Sequence, residues 1–378
     1  MNKAVIAGYA RSPFTFAHKG GLAKTRPDDL AALVVRALVE RTALKGEEIE
    51  DLILGCAFPE GEQGFNVARL TGFLAGLPIS VTGVTVNRFC GSSMQAIHMA
   101  AGAIAMDAGE AFICAGVESM TRVPLTGFNP MPNPGLYERY PQAYMAMGET
   151  AENVARKFSV SRQDQEAFAV YSHAKAAAAQ AEGRLEAEIV PVPTKQGLVS
   201  KDGCIRPGTS PEGLAELKPA FLEGGTVTAA TSSPLTDGAS AALVCSEGFA
   251  ERHGLEPLAR IKSIATSGCA PETMGMGPVV STRKALKRAG LSLGDLDLVE
   301  LNEAFSAQAV ACIRELGLPT DIVNLDGGAI ALGHPLGATG ARITGKAAAL
   351  LKRTGGTYAL ATQCIGGGQG IATILEAV

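Results

Sequence analysis

The sequence predicts an α/β fold in which two related, pseudo-symmetric halves pack as one unit around an interrupting segment. Three observations carry that reading. Apolar strand-like runs alternate with helical stretches, which implies βαβ crossovers and parallel sheets covered on both faces. A faint duplication relates residues 82–116 to residues 321–363. The stretch from about 119 to 226 has a different character, opening on a loop with Pro124, Pro130, Pro132, Pro134 and Pro141.

Taken in order, residues 4–8 form an opening strand, about 28–41 a helix, and Asp51–Leu54 an Ile/Leu-rich strand. Thr82–Asn87 is a strand, Arg88–Ser93 a turn, about Met94–Met106 a helix, and Ala111–Gly116 a buried strand. The second copy repeats the plan with a strand at 259–265, a helix near 279–289 and a strand at Asp297–Leu301. It continues with a strand at Ile322–Asn324, a Gly-rich turn to Gly340, a helix over about 341–353 and a strand at Thr357–Thr362. Both copies share a Val-Asn strand end, a helix opened by small residues and an apolar return strand. The interrupting segment carries an Ala-rich helix near 161–182 and a polar stretch over Val190–Thr209, and reads as an insertion that covers a site. The predicted division is 1–118 plus 227–255, an inserted loop domain at 119–226, and 256–378.

At 378 residues the chain is long enough for two or three domains of about 150 residues each. With 47% apolar and 19% charged residues it has material for a large core, and disorder is excluded. A net charge of −4 argues against nucleic acid or an anionic membrane as the main partner. The eight cysteines show no CxxC spacing, so reduced thiols in a cytoplasmic compartment are expected, with no metal site. The N-terminal residues lack the apolar core of a signal peptide, and the uncharged stretches 70–87 and 354–375 are too interrupted to span a membrane.

Four positions stand out chemically. Cys90 sits where a strand turns into a helix, facing unpaired N–H groups and the positive end of the helix dipole, both of which favour thiolate. Its alternative is a buried structural cysteine, the default for Cys114 and Cys245. His334 lies at the equivalent turn of the second half, among glycines that clear space around the ring and before Pro335, which holds the backbone extended. A Gly-rich turn also serves as plain turn chemistry or an anion cradle. His98 and His173 fall in helices as structural or exposed residues. Cys364 ends an apolar strand before Gly366-Gly-Gly-Gln-Gly370, a turn with bare N–H groups suited to an oxyanion, or a tight hairpin in which the cysteine merely packs. Asn302 begins a helix after a strand, which N-capping explains equally well. Two thiols and an imidazole at one site suit acyl transfer coupled to proton exchange with a carbon acid.

Asn87-Arg-Phe-Cys-Gly-Ser-Ser, Asn302-Glu-Ala-Phe-Ser, Gly333-His-Pro-Leu-Gly-Ala-Thr-Gly and Cys364-Ile-Gly-Gly-Gly-Gln-Gly resemble, in order, the four signatures of the thiolase family. The resemblance covers essentially the whole chain. It implies the thiolase fold, two αβαβα-like halves with a loop domain over coenzyme A, assembled as a homodimer or dimer of dimers. It implies Cys90 as the acylated nucleophile, His334 as its base, and Cys364 as acid and base at the acetyl carbon. One oxyanion hole would use His334 and a water on Asn302, the other the N–H groups of Cys90 and Gly366. Arg206 matches a nucleotide-side contact of CoA and Ser233 a pantetheine-side one, while Gly213 stands where some members have a CoA-contacting serine. No tightly bound cofactor is implied, only coenzyme A as co-substrate.

Cys-Gly-Ser-Ser-Met-Gln-Ala-Ile, Thr-Ser-Ser and Ala146 before Met147-Gly148 are similar to the bacterial β-oxidation type. The expected reaction is thiolytic cleavage of 3-ketoacyl-CoA, with a hydratase/dehydrogenase subunit as a candidate partner. The alternative is a biosynthetic acetyl-CoA C-acetyltransferase. A decarboxylating condensing enzyme would not need Cys364 in its Gly-rich loop. An inactive acyl-CoA-binding scaffold should have lost Cys90, His334 or Cys364, and all three are present.

Overall fold

The computed structural model describes residues 2–378. The first half runs β1 (Ala4–Arg11), β2 (Thr15–Phe16), α1 (Pro27–Thr42), β3 (Asp51–Gly55), α2 (Val67–Ala75), β4 (Thr82–Val86), α3 (Ser92–Ala105) and β5 (Ala111–Ser119). The intervening stretch carries α4 (Pro134–Arg139), α5 (Met147–Lys157), α6 (Arg162–Ala181), the hairpin β6 (Val192–Thr194) and β7 (Gly197–Val199), and α7 (Pro211–Ala215). The chain then returns through β8 (Thr236–Ser246) and α8 (Glu247–Arg252). The second half comprises β9 (Ala259–Gly268), α9 (Gly277–Ala289), β10 (Leu298–Leu301), α10 (Ser306–Leu316), α11 (Ala329–Leu332), α12 (Leu336–Thr354), β11 (Tyr358–Ile365) and β12 (Gln369–Glu376).

The strand order β10-β11-β12-β9-β1-β8-β5-β3-β4 makes the duplication visible. Reading outward from the centre, β1-β8-β5-β3-β4 mirrors β9-β12-β11-β10, and the two series meet where β1 pairs antiparallel with β9. The mirror is incomplete at one end. The strand expected over Ile322–Asn324 is reduced to a single bridge, Val323 beside Val299, because Thr320–Ile322 forms a 3₁₀ turn and Asn324 takes φ +49. The Val-Asn repeat has a shared purpose: Asn87 Nδ2 donates to Ala57 O at 3.0 Å, and Asn324 Nδ2 donates to Leu301 O at 2.9 Å, each tying the end of the neighbouring strand.

Three apolar layers follow from the side-chain pattern. Leu30, Val34, Val35 and Leu38 of α1 pack on one face of the first half of the sheet with Leu52 and Leu243. Val279, Leu286, Val310 and Ile313 of α9 and α10 pack on the second half with Leu301 and Ile374. Between the two halves of this continuous sheet, Met94 and Ile97 of α3 share a core with Ile343 and Ala347 of α12. Helices therefore cover both faces of each half, giving α-β-α-β-α layers. The central pair approach so closely that a Cβ at Gly340 would lie 2.2 Å from Met94 N. The helix starts are also local: Pro27 and two acidic residues open α1, and Ser161 with Asp164 forms a capping box on α6.

A buried ionic cluster ties the intervening stretch to this frame. Asp326 binds Arg184, Lys346 (2.7 Å) and Arg353 (2.6 Å), and Glu188 binds Lys346 (2.9 Å) and Arg11 (2.7 Å). Against the cost of burial, the Arg353 hydrogen bond and Lys346 hold the Asp326 carboxyl down at about 2. Its folded value lies below its unfolded one, so its stabilisation is present above about pH 4 and is lost as pH falls through about 2. Asp326→Asn is expected to lower unfolding stability in urea at pH 7 by about 3 kcal/mol, since three cations lose one acceptor. That deficit should shrink between about pH 4 and pH 2; an equal deficit at both ends would show a packing defect instead. Among the described residues no helix is long and apolar enough to cross a membrane.

Candidate active site

Cys90 and His334 occupy equivalent places in the two halves. Cys90 lies two residues before the first residue of α3, and His334 two residues before the first residue of α12. The residue preceding each has a left-handed backbone, Phe89 at φ +43 and Gly333 at φ +104. Such a conformation turns a chain sharply between segments and is costly for a non-glycine residue. At Phe89 it is held by local bonds: Asn87 Oδ1 accepts from Phe89 N at 2.8 Å, and Ser92 Oγ donates to Phe89 O at 2.6 Å. At Gly333 the requirement is also steric, because a Cβ there would stand 2.7 Å from the Thr236 side chain. That closeness lets His334 N donate to Thr236 Oγ1 at 3.1 Å.

The imidazole has a defined tautomer. Thr339 Oγ1 donates to Pro335 O at 3.1 Å and so accepts from His334 Nδ1 at 2.6 Å. The proton is therefore on Nδ1, and the Nε2 lone pair accepts from Asn302 Nδ2 in a long 3.4 Å contact. Burial, with a smaller contribution from Arg342, pulls the ring down to about 3, so it is neutral at physiological pH. Asn302 is fully buried, and its Oδ1 has no partner within the protein, a position suited to a water. It does not cap a helix: α10 starts at Ser306, with Phe305 as its N-cap residue. The neighbouring Glu303 is the structural member of the motif, accepting from Ser172 Oγ, Asn324 Nδ2 and Ile330 N.

Cys364 lies in β11 opposite Gly370 of β12, and Gly366–Gly368 close the hairpin with φ +78 and +82 at the last two. The turn is a tight hairpin, and its Gly366 N–H is directed at the Cys90 sulfur. The two cysteines are close enough to interact electrostatically. Burial first, then Cys90, raises the Cys364 thiol well above its ordinary value. The expected thiolate at Cys90 is not found: burial pushes that thiol up to about 11, outweighing the N–H groups of Gly366 and Cys90 itself. The helix end helps a thiolate only where solvent or a counter-charge accompanies it, and Cys90 is 3% exposed among Ala57, Met120 and Leu336. The resting pair is a thiol and a neutral imidazole.

The two positions that the family resemblance assigns to CoA are less buried than the cysteines and His334. Arg206 is exposed, with its guanidinium 5.2 Å from the Phe16 ring centroid and its N–H donating to His173 Nδ1 at 3.2 Å. Ser233 is half-buried, and its N–H donates to Ala304 O at 3.0 Å, beside the Asn302 motif. Gly213 falls inside α7. Of the remaining histidines, His98 and His173 are both buried, His98 with Nε2 2.8 Å from Thr373 Oγ1.

Several supporting residues escaped the sequence reading. Glu118, buried, accepts from Ala57 N (2.8 Å), Gly337 N (2.9 Å) and Gln63 Nε2 (2.8 Å), joining the loop after β3 to the start of α12. Gln363 Nε2 donates to Cys90 O at 2.5 Å. Thr339 stood within the quoted histidine motif, and its five-residue spacing from His334 across a helix start was the only available signal. Thr339→Val should leave folding intact and lower turnover by about ten-fold, because the imidazole loses the acceptor that fixes its tautomer. A Thr339→Ser variant retaining near-full turnover checks that the hydroxyl is responsible.

Residues 4–248 match the thiolase N-terminal domain model and residues 255–377 the thiolase C-terminal domain model. The chain is 48% identical to a 3-ketoacyl-CoA thiolase of Bacillus subtilis (strain 168), with all of both chains covered. It is 49% identical to a 3-ketoacyl-CoA thiolase of Vibrio cholerae, again over the whole of both chains. The crystal structure of human mitochondrial 3-ketoacyl-CoA thiolase superposes with a TM-score of 0.93 at 36% identity, covering 100% of this chain and 99% of that one. With both domain models matched in order and full-length relatives near half identity, this chain belongs to the thiolase family.

Proposed function

We propose that the chain is a degradative acyltransferase that cleaves 3-ketoacyl-CoA with CoA to acyl-CoA and acetyl-CoA, in fatty-acid β-oxidation. What supports this most is the closeness of two thiols, Cys90 and Cys364, with the Gly366 N–H directed at Cys90, in a chain whose full-length relatives carry that name. Cys90 Sγ attacks the 3-keto carbon as His334 Nε2 takes the thiol proton. Because the resting groups are uncharged, proton transfer accompanies attack rather than preceding it. The alkoxide is stabilised by the protonated His334 and a water on Asn302. It collapses by breaking the C2–C3 bond, leaving an acyl thioester on Cys90 and the enolate of acetyl-CoA, which Cys364 protonates. The Cys90 and Gly366 N–H groups hold the oxygen of the acyl thioester. The incoming CoA thiol gives its proton to the Cys364 thiolate and attacks the acyl group. Cys90 then departs, recovering its proton from His334, so every proton is returned.

In this reading residues 119–226 cover the CoA, with Arg206 and Ser233 at its nucleotide and pantetheine ends, and no cofactor is held tightly. The protein works in the cytoplasm. It acts as a homodimer through β4, which lies at the edge of the sheet. Such an edge invites a second strand, and it is flanked by Phe65 (94% exposed) and Ile79 (82% exposed). Ile79→Glu is expected to shift the sedimenting species from dimer towards monomer; a monomeric unaltered protein would refute the assembly. The test of the activity is thiolysis of 3-ketoacyl-CoAs of graded chain length, run in both directions. Turnover confined to acetoacetyl-CoA would favour the biosynthetic alternative, and none at all would refute the enzyme.

A further inference from the structure

Phe16, at the end of the short strand β2, carries two cations on one ring. Lys19 Nζ lies 4.6 Å from the ring centroid, and the Arg206 guanidinium carbon lies 5.2 Å from it. Lys19 and Arg206 are both exposed, and neither side chain has a carboxylate partner among the described residues. Most other basic side chains near the frame are spoken for, as in the Asp326 cluster. Two like charges held on one aromatic ring repel each other, and neither is paired in a salt bridge. The arrangement opens onto a small cleft walled by Phe16, Cys204, Arg206, Ser232 and Pro234, the last two flanking Ser233. Burial, then Asp202, pushes the Cys204 thiol of that cleft up to about 12, with Arg206 and Lys19 acting the other way. Arg206 and Phe16 line the cleft, and Lys19 joins them through the shared Phe16 ring.

We infer that Lys19 is a second cationic contact for the phosphate-bearing end of CoA, acting with Arg206 across the Phe16 ring. The phosphates are the only anionic part of CoA, and their binding would relieve the unpaired charge of both side chains. This rests on the proposed use of CoA, and goes beyond it by assigning a residue from the opposite end of the chain, outside all four signature motifs. Phe16 supplies the alignment: its ring fixes where the two flexible cations come together.

The test uses Lys19→Met, which keeps an apolar stem over Phe16 but no charge, and Lys19→Arg, which keeps the charge. CoA, adenosine 3′,5′-bisphosphate and pantetheine are titrated into each protein by calorimetry, and KM for CoA is measured in thiolysis. Lys19→Met should raise Kd and KM for CoA, and Kd for the bisphosphate, by about three- to ten-fold, with kcat and pantetheine binding unchanged. Lys19→Arg should restore most of the loss, and the difference should fade with added salt. Unchanged CoA affinity in Lys19→Met overturns the inference. An equal loss for pantetheine does so too, by showing a packing role. Should the unaltered protein bind CoA without turnover, the proposed activity falls while the titrations still read Lys19.

Discussion

A Cys364→Ala protein should still take up an acyl group from acyl-CoA on Cys90, yet cleave 3-ketoacyl-CoA about 10²–10⁴-fold more slowly. Acylation by a simple acyl-CoA needs a nucleophile, a base and donors to the oxyanion, the parts proposed above for Cys90, His334 and backbone N–H groups. Carbon–carbon cleavage also needs a proton for the departing enolate, and Cys364 is the thiol beside Cys90 that can give it. Proton exchange at the acetyl carbon should fall with cleavage, while the acyl-Cys90 peptide remains visible by mass spectrometry. Near-normal thiolysis would refute the two-thiol mechanism. Loss of acylation as well would assign Cys364 a shaping role in the packed cluster with Phe305 and Met274.

Cys90→Ser should lose both acylation and thiolysis, by about 10⁴-fold or more, the scale on which removal of a covalent nucleophile acts. A serine hydroxyl is a far weaker acid than the thiol it replaces, and a neutral imidazole held near 3 is a poor base for it. The same electrostatics set the pH dependence of the unaltered protein without substrate. Since the Cys90 thiol is pushed up to about 11, its thiolate fraction grows through the alkaline range, and alkylation by iodoacetamide should rise steadily with pH. Bound acyl-CoA should protect it. An alkylation rate that levels off near neutral pH would mean a low-pKa thiolate, and would restore the helix-end reading.

The placement of Cys90 and His334 was legible because it follows from a repeated local pattern, strand, tight turn and helix, written twice. What the sequence misjudged were competitions between local and tertiary terms. The helix end at Cys90 favours thiolate locally, but burial wins. Asn302 has the composition of a helix cap, yet the helix begins four residues later because Glu303 is drawn into bonds with Ser172, Asn324 and Ile330. Ile322–Asn324 reads as a strand from its apolar residues, but the Asn324 amide is taken up by Leu301 and ends the extension after one bridge. Glu118 was illegible for a different reason. Its partners include Gly337, 219 residues away, and no local pattern encodes a contact of that span.

The division of Cys90 and His334 between two mirror-related halves also sets an order of events during synthesis. Ala341 N donates to Ser93 Oγ at 2.8 Å across 248 residues, so the start of α3 cannot meet its counterpart until most of the chain has been made. At about 5–20 residues per second, the ribosome takes some 10–50 s to cover that interval. Throughout that time Cys90 has been translated without His334, Cys364 or the Gly366 N–H. A nascent chain therefore carries Cys90 as an ordinary solvent-exposed thiol, without the burial that raises it to about 11. The environment that distinguishes it from other cysteines is assembled only by the last docking step, when the second half closes over the first.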